Sequence, residues 1–334
     1  PQMIEALLQD RFARTIKDLR ISVTDRCNFR CFYCIPDEDI VWKRKQSLLT
    51  YDEIVLVSEI AVGLGVEKLR LTGGEPLVRK DIELLIERLS KIDGLRDLAM
   101  TTNAHGLQRR ASALRSAGLN RITISCDSLK PETFKTITRR DALRSVLDGI
   151  EATMAAGFPP PKINCVVIRG MNDDEVADFA DFARATGVSV RFIEYMPLDN
   201  GHQWDRRMLV GGREVLQRIE ARHKLVPIDR NSPGETSLNY AFADGAPGEI
   251  GIIAPVTMPF CGACSRLRLT ADGNLRTCLF SMVDHDIREL LRQDATREQI
   301  AQFMIDTVLK KKAGHRINES DFIQPPRTMS FIGG

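Results

Sequence analysis

The chain has 334 residues, enough to bury one large core or two modest ones, and its 43% hydrophobic and 28% charged content is that of an ordinary globular protein. Forty-seven Lys and Arg against 45 Asp and Glu leave a formal charge of +2, which excludes bulk attraction to nucleic acid or membrane but not a local cationic pocket. No apolar run reaches the roughly 18 residues a membrane span needs, and the opening "PQMIEALLQD" has neither a basic nor an apolar signal region, so a cytoplasmic protein is expected. Residue 1 is Pro rather than Met, which leaves room for a removed leader.

The first β-rich run is "LRISVTD" (19–25), followed at once by "CNFRCFYC". Thr50 and Glu53 form a capping box ahead of the helical "IVLVSEIAVGLGV". Further β-rich runs are "KLRLTGG" (68–74), "LAMTTNA" (98–104), "RITISCD" (121–127), "KINCVVIRG" (162–170) and "VSVRFIEYM" (188–196), with helical segments between them. Pro131 suits a helix N1 position, and Asn172 with Glu175 repeats the capping pattern before "VADFADFARATG". Six strand–helix units predict parallel pairing, either as an open doubly wound sheet or as a barrel. In both, polar motifs at strand C-terminal ends are functional, and "TDRCN", "TGGEP", "TTN" and "SCDS" fall there. From about residue 200 Gly and Pro become frequent, "SRLRLTADGNLRTCLF" reads as a β-hairpin, and 283–313 reads as amphipathic helix. Two parts are expected, 1–200 and 201–334.

Eight cysteines are too few for a disulfide scaffold, and six of them are clustered. Cys27, Cys31 and Cys34 are spaced C-x3-C-x2-C, and Cys261, Cys264 and Cys278 are spaced C-x2-C-x13-C. Cys126 and Cys165 stand alone and read as small buried hydrophobes. Structural zinc takes four protein ligands. The first trio has no fourth, and His285 is the weaker candidate for the second. Three thiolates on a [4Fe–4S] cluster leave one iron open, as a reactive centre requires.

The basic residues are also patterned. Arg266 and Arg268 alternate onto one strand face, as do Lys68, Arg70 and Thr72, while Arg20, Lys162 and Arg191 lie in or beside other strands. Lys and Arg are rarely buried without a partner. So many of them on separate strands point to a converging site for a polyanion.

The C-x3-C-x2-C spacing with Tyr33 before the last Cys, followed by "GGEP" at 73–76, resembles the radical S-adenosylmethionine family. That resemblance implies an incomplete (β/α)6 TIM-type barrel with a C-terminal extension carrying a second Fe–S cluster. It also implies that the cofactor chelates the open iron and is cleaved to a 5′-deoxyadenosyl radical. Carried over by position, Tyr33, Gly73, Gly74, Glu75, Asn103, Ser125 and Met196 are expected to contact S-adenosylmethionine. The family usually has Gly where Ala104 stands. "LRISVTDRCNFRCFYC", "RFIEYMPLDNG", "CGACSRLRLTADGNLRTCLF" and the terminal "FIGG" narrow the resemblance to the branch that opens molybdenum cofactor biosynthesis. Cys126 replaces the aliphatic residue usual at its position there.

The branch implies two [4Fe–4S] clusters and GTP as substrate, with C3′ joined to guanine C8 after loss of the 3′ hydrogen. Arg20, Lys68, Arg70, Thr101, Lys162, Arg191, Arg266, Leu267 and Arg268 are then expected around GTP, and Gly333 and Gly334 are expected to reach into the pocket. It further implies an electron donor such as a flavodoxin system, a downstream cyclic pyranopterin monophosphate synthase as partner, and a homodimer. Two competing readings are a peptide-modifying radical enzyme and an iron–sulfur electron carrier. The first usually has more C-terminal cysteines, and the second needs closed clusters and no polyanion site.

Overall fold

A computed structural model describes residues 7–35, 40–199, 203–230 and 232–333. Six parallel strands form its centre in chain order: β1 (Asp18–Ser22), β2 (Lys68–Thr72), β3 (Asp97–Thr102), β4 (Arg121–Ser125), β5 (Lys162–Val167) and β6 (Ser189–Glu194). Helices α1 (Tyr51–Gly63), α2 (Ile82–Ser90), α3 (Ala111–Ser116), α4 (Pro131–Thr138) with α5 (Leu143–Ala155), and α6 (Val176–Thr186) fall between successive strands. This is an incomplete (β/α)6 barrel, and it resolves the sheet-or-barrel alternative.

The later part of the chain brackets both edges of these six strands. After α7 (Gly212–Glu220), β7 (Leu225–Ile228) and β8 (Leu238–Phe242) lead antiparallel into β9 (Glu249–Ile253), which pairs parallel to β6. At the other edge β10 (Arg266–Leu269) pairs parallel to β1 and turns back antiparallel into β11 (Asn274–Arg276) and β12 (His285–Asp286). The hairpin read from "ADGN" is therefore present. The long C-terminal helix is shorter than expected. A brief α8 (Arg288–Arg292) precedes α9 (Arg297–Leu309), whose own capping box, Thr296 with Gln299, sets its start.

Local chemistry sets the helix starts elsewhere too. Thr50 and Glu53 make the expected reciprocal cap on α1, and Pro131 is at the start of α4. The Asn172–Glu175 cap does not form. Asn172 Nδ2 donates to the Asp127 and Val166 carbonyls, and Glu175 accepts from Ser128 Oγ and the Leu129 amide. Tertiary partners outcompete the local cap because these groups are buried and must be paired. Cys126 and Cys165 are buried as expected. Among the described residues, no helix is long and apolar enough to cross a membrane.

Candidate active site

Two layers of side chains inside the barrel follow directly from strand register. In the first layer Arg266, Asp18, Lys68 and Asp97 are successive cross-strand neighbours, with alternating charge. In the next, Arg268, Arg20 and Arg70 are neighbours on three adjacent strands, and no acid intervenes. Like charges placed directly across a sheet destabilise it, so this row demands an anion. Burial, then Arg268, holds the Arg20 guanidinium well below the ordinary arginine range. Burial, then Arg266, brings Arg268 down to about 10, and burial, then Arg70, does the same to Arg191. Arg70 reaches Thr101 Oγ1 (3.3 Å) and Thr123 Oγ1 (3.1 Å). Gly251, opposite Arg191, has no room for a Cβ, which would lie 2.9 Å from the arginine Cγ.

These arginines line one cavity together with Cys261, Cys264 and Cys278. Thr101 and Met196 line it as well. Lys68 and Lys162 line an adjoining cavity at the N-terminal end of the strands, into which Arg20, Arg70, Arg191 and Arg266 also face. Burial, then Arg191, lowers the Lys162 ammonium to about 8. Leu267 does not join them. Its side chain is on the opposite strand face, fully buried in the hydrophobic core, as the period of two requires.

The first cysteine trio occupies the loop after β1, at the C-terminal end of the strands. Gly73 and Gly74 press the "GGEP" turn onto that loop. A Cβ would lie 2.5 Å from the Thr24 carbonyl oxygen at Gly73 and 2.1 Å from that of Arg26 at Gly74. The Gly74 and Glu75 amides donate to those same carbonyls (2.7 and 2.8 Å). The glycines thus serve a close backbone approach to the cysteine loop. Glu75 is buried and accepts from Thr102 Oγ1 (2.6 Å), the Leu77 amide (3.0 Å) and the Asn103 amide (2.7 Å). Three of about four carboxylate acceptor sites are filled, leaving one. Asn103 Nδ2 donates to Asn28 Oδ1 (2.7 Å) and lies 3.8 Å from Cys27 Sγ. Ala104, next to it, adopts a left-handed φ of 60°, where glycine is favoured. Ser125 ends β4 and is half-buried. Tyr33 Oη donates to Asp127 Oδ2 (2.5 Å), and burial, opposed by that bond, pushes the Asp127 carboxyl up to about 6.

The donor chemistry of both trios fits iron–sulfur clusters. All six thiols are unpaired. Burial, then Glu75, pushes Cys27 up to about 11, and burial with neighbouring anions raises Cys31 and Cys34 further. Buried thiolates that repel each other need a cationic iron centre. Among the described residues no group of three His, Cys, Asp or Glu could hold a single metal ion. A four-iron cube, by contrast, takes its thiolates at separate corners. In the second trio burial opposes ionisation of Cys264, but Arg266 and Lys311 outweigh it and bring the thiol down to about 6. His285 pairs with Leu275 at the sheet edge and is not among the cavity's lining residues.

The C-terminal segment forms part of the same wall. α10 (Met329–Ile332) stacks Phe331 on Trp42, whose ring also carries the Arg30 guanidinium from the first cysteine loop. Met329 lines the cavity, and the Gly333 carbonyl accepts from Arg268. At Gly333 a Cβ would lie 2.5 Å from Thr72 Oγ1, so only glycine fits. Gly334 lies outside the described residues. Sequence reasoning missed Asp127, Asn164, Trp42, His315 and Met329. "SCDS" pointed towards Asp127, but the others had no local signal.

The fold and the cysteine loop define a radical S-adenosylmethionine enzyme. Residues 21–183 match the Radical SAM superfamily and residues 188–317 match Molybdenum Cofactor Synthesis C. The chain is 45% identical to the GTP 3′,8-cyclase of Streptomyces coelicolor over 98% of its own length and 96% of that protein. It is 43% identical to that of Thermodesulfovibrio yellowstonii, over 98% and 100%. The chain belongs to the GTP 3′,8-cyclase family, and its cofactors are S-adenosylmethionine and [4Fe–4S] clusters. Among solved structures, Streptococcus suis SuiB bound to precursor peptide SuiA superposes with a TM-score of 0.63 over 95% of this chain and 76% of that one. At 13% identity that likeness shows the fold alone.

Proposed function

We propose that the chain converts GTP to (8S)-3′,8-cyclo-7,8-dihydroguanosine 5′-triphosphate, the first step of molybdenum cofactor biosynthesis. The observation that carries the substrate assignment is the unbroken arginine row Arg268–Arg20–Arg70 in one cavity with Cys261, Cys264 and Cys278. When bound, the first cluster and S-adenosylmethionine would supply the radical that takes the 3′ hydrogen; the C3′–C8 bond then forms at the expense of the C8=N7 double bond, and one electron from the donor with one proton completes the 7,8-dihydro product.

The chain's own residues bind and orient. Cys27, Cys31 and Cys34 hold the first cluster, and Gly73, Gly74, Glu75, Asn103, Ser125, Tyr33 and Met196 form the cofactor's surroundings. Cys261, Cys264 and Cys278 would hold the second cluster in the cavity that takes the substrate. The arginine row, Arg191, Arg266 and Thr101 take the phosphates, and Lys68 and Lys162 extend that charge into the adjoining cavity. Fixing both reactants in one cavity removes the entropy cost of their encounter. Gly333 closes the pocket beside Arg268. Residues 1–200 serve radical formation and supply most of the phosphate-binding cations, and 201–334 add the second cysteine trio, Arg266, Arg268 and the C-terminal segment. A flavodoxin-type donor, a downstream cyclic pyranopterin monophosphate synthase, a homodimer and a cytoplasmic location complete the reading, and the unpaired cysteines suit a reducing compartment.

The test compares two triple variants. Cys27→Ala/Cys31→Ala/Cys34→Ala should lose cleavage of S-adenosylmethionine. Cys261→Ala/Cys264→Ala/Cys278→Ala should keep cleavage and lose cyclised product. Equal loss of cleavage in both folded variants would contradict this division of labour.

A further inference from the structure

The second cysteine trio leaves one iron of a four-iron cluster without a protein thiolate. His315, on the loop after α9, supplies the missing kind of donor. It lines the cavity shared by Cys261, Cys264 and Cys278. Among the described residues no other His, Asp or Glu lines that cavity. Its Nε2 is buried and has no hydrogen-bond partner. A buried polar atom left unpaired is costly, and an absent metal partner is one physical reason for such a gap.

The loop is fastened to the cluster's frame. Arg14 donates to the carbonyls of Cys261 (2.7 Å), Ala313 (2.7 Å) and Lys312 (2.6 Å) and so ties the loop to the first cysteine of the trio. Lys311 donates to the Arg266 and Thr277 carbonyls, two residues after Cys264 and one before Cys278. Gly314 packs so closely on Cys261 that a Cβ would lie 3.4 Å from its sulfur. The imidazole rests on Phe280, two residues after Cys278, with ring centroids 5.4 Å apart. Nδ1 accepts from the Ile317 amide only at 3.5 Å, the limit of a hydrogen bond, so neither ring nitrogen is firmly held. Ligation through Nε2 places the imidazole proton on Nδ1, the usual arrangement of a metal-ligating histidine, and gives up only that weak contact.

We infer that His315 Nε2 ligates the open iron of the second cluster in the substrate-free enzyme and that the guanine of GTP displaces it. The inference rests on the second trio holding a cluster, as proposed above. Its consequence is that the iron is capped against adventitious thiols and oxygen until the correct base arrives.

The test reads nitrogen hyperfine couplings on the reduced clusters by pulsed electron paramagnetic resonance. Enzyme carrying isotope-labelled histidine is compared with unlabelled enzyme, both with the two clusters intact and in Cys27→Ala/Cys31→Ala/Cys34→Ala, which keeps only the second. A histidine coupling on the second cluster is expected, lost in His315→Ala and in His315→Gln and lost on adding GTP. A second-cluster signal without a histidine coupling, or with one that survives His315→Gln, overturns the ligand assignment. A coupling that persists with GTP bound overturns the displacement. No second-cluster signal at all overturns the assignment of the cysteines themselves and this inference with it. The both-cluster sample decides the matter if the triple variant fails to fold.

Discussion

Arg268 is the point at which binding and stability oppose each other. It is 5% exposed, is a cross-strand neighbour of Arg20, and is lowered to about 10 by burial and then by Arg266. At about 1.4 kcal/mol per pH unit, that depression corresponds to roughly 3 kcal/mol of unfavourable free energy in the ligand-free fold. The sign follows from linkage. A cation whose folded pKa is depressed destabilises at every pH below that folded value, so the cost is fully present at pH 7 and is relieved only above about 10. Arg268→Met removes this cost and also the charged hydrogen bond to the Gly333 carbonyl, about 2 kcal/mol. The net is roughly 1 kcal/mol of stabilisation, a rise of about 2 °C in melting temperature.

GTP binding moves the other way. Loss of one buried charged contact costs about 2–5 kcal/mol, a weakening of about 30-fold to several thousand-fold. Thermal melts with and without GTP read both terms, since ligand at about 100 times Kd stabilises the parent by about 2.7 kcal/mol. The variant should melt at or slightly above the parent without GTP and gain at most about a third of the parent's stabilisation from it. A variant that melts several degrees lower alone, yet retains the full GTP-dependent rise, would refute the reasoning.

Lys162, lowered to about 8, loses its proton as pH rises through that value, so GTP affinity should fall by about tenfold between pH 7 and 9. GTP should also draw a proton onto it near pH 8, visible as buffer-dependent heat in titration calorimetry and absent in Lys162→Met. Ala104→Gly relieves the left-handed φ of 60° and should stabilise the fold by about 0.5–1 kcal/mol in denaturant titration, with iron content unchanged. Gly333→Val cannot fit beside Thr72 and should leave both clusters and GTP binding largely intact while cutting cyclised product about 100-fold. Normal yield would show that the tail does not position the reaction.

Much of the site was legible because its parts are short and local. The first cysteine trio, the "GGEP" turn and the alternation of Arg266 with Arg268 each declare themselves within fewer than ten residues, and the second trio and the six strand–helix units within a few tens. Errors arose where a local rule met a buried competitor. Asn172 and Glu175 carry a capping pattern, but pairing buried groups around Asp127 and Ser128 outweighed one exposed cap. Leu267 was included with its arginine neighbours although the period of two sends it to the core.

By itself, the sequence determined which chemistry the chain can do, because thiolate spacing and strand alternation are properties of a few consecutive residues. It could not decide what stands next to what across the barrel. That Arg268, Arg20 and Arg70 share one row depends on the pairing of β10 with β1 and of β1 with β2, between strands separated by up to about 250 residues of chain. That His315 rather than His285 faces the second cysteine trio depends on Arg14 and Lys311 fastening a loop whose sequence carries no such signal. Register and loop anchoring are set by packing of the whole core, and that is why only the tertiary structure could decide them.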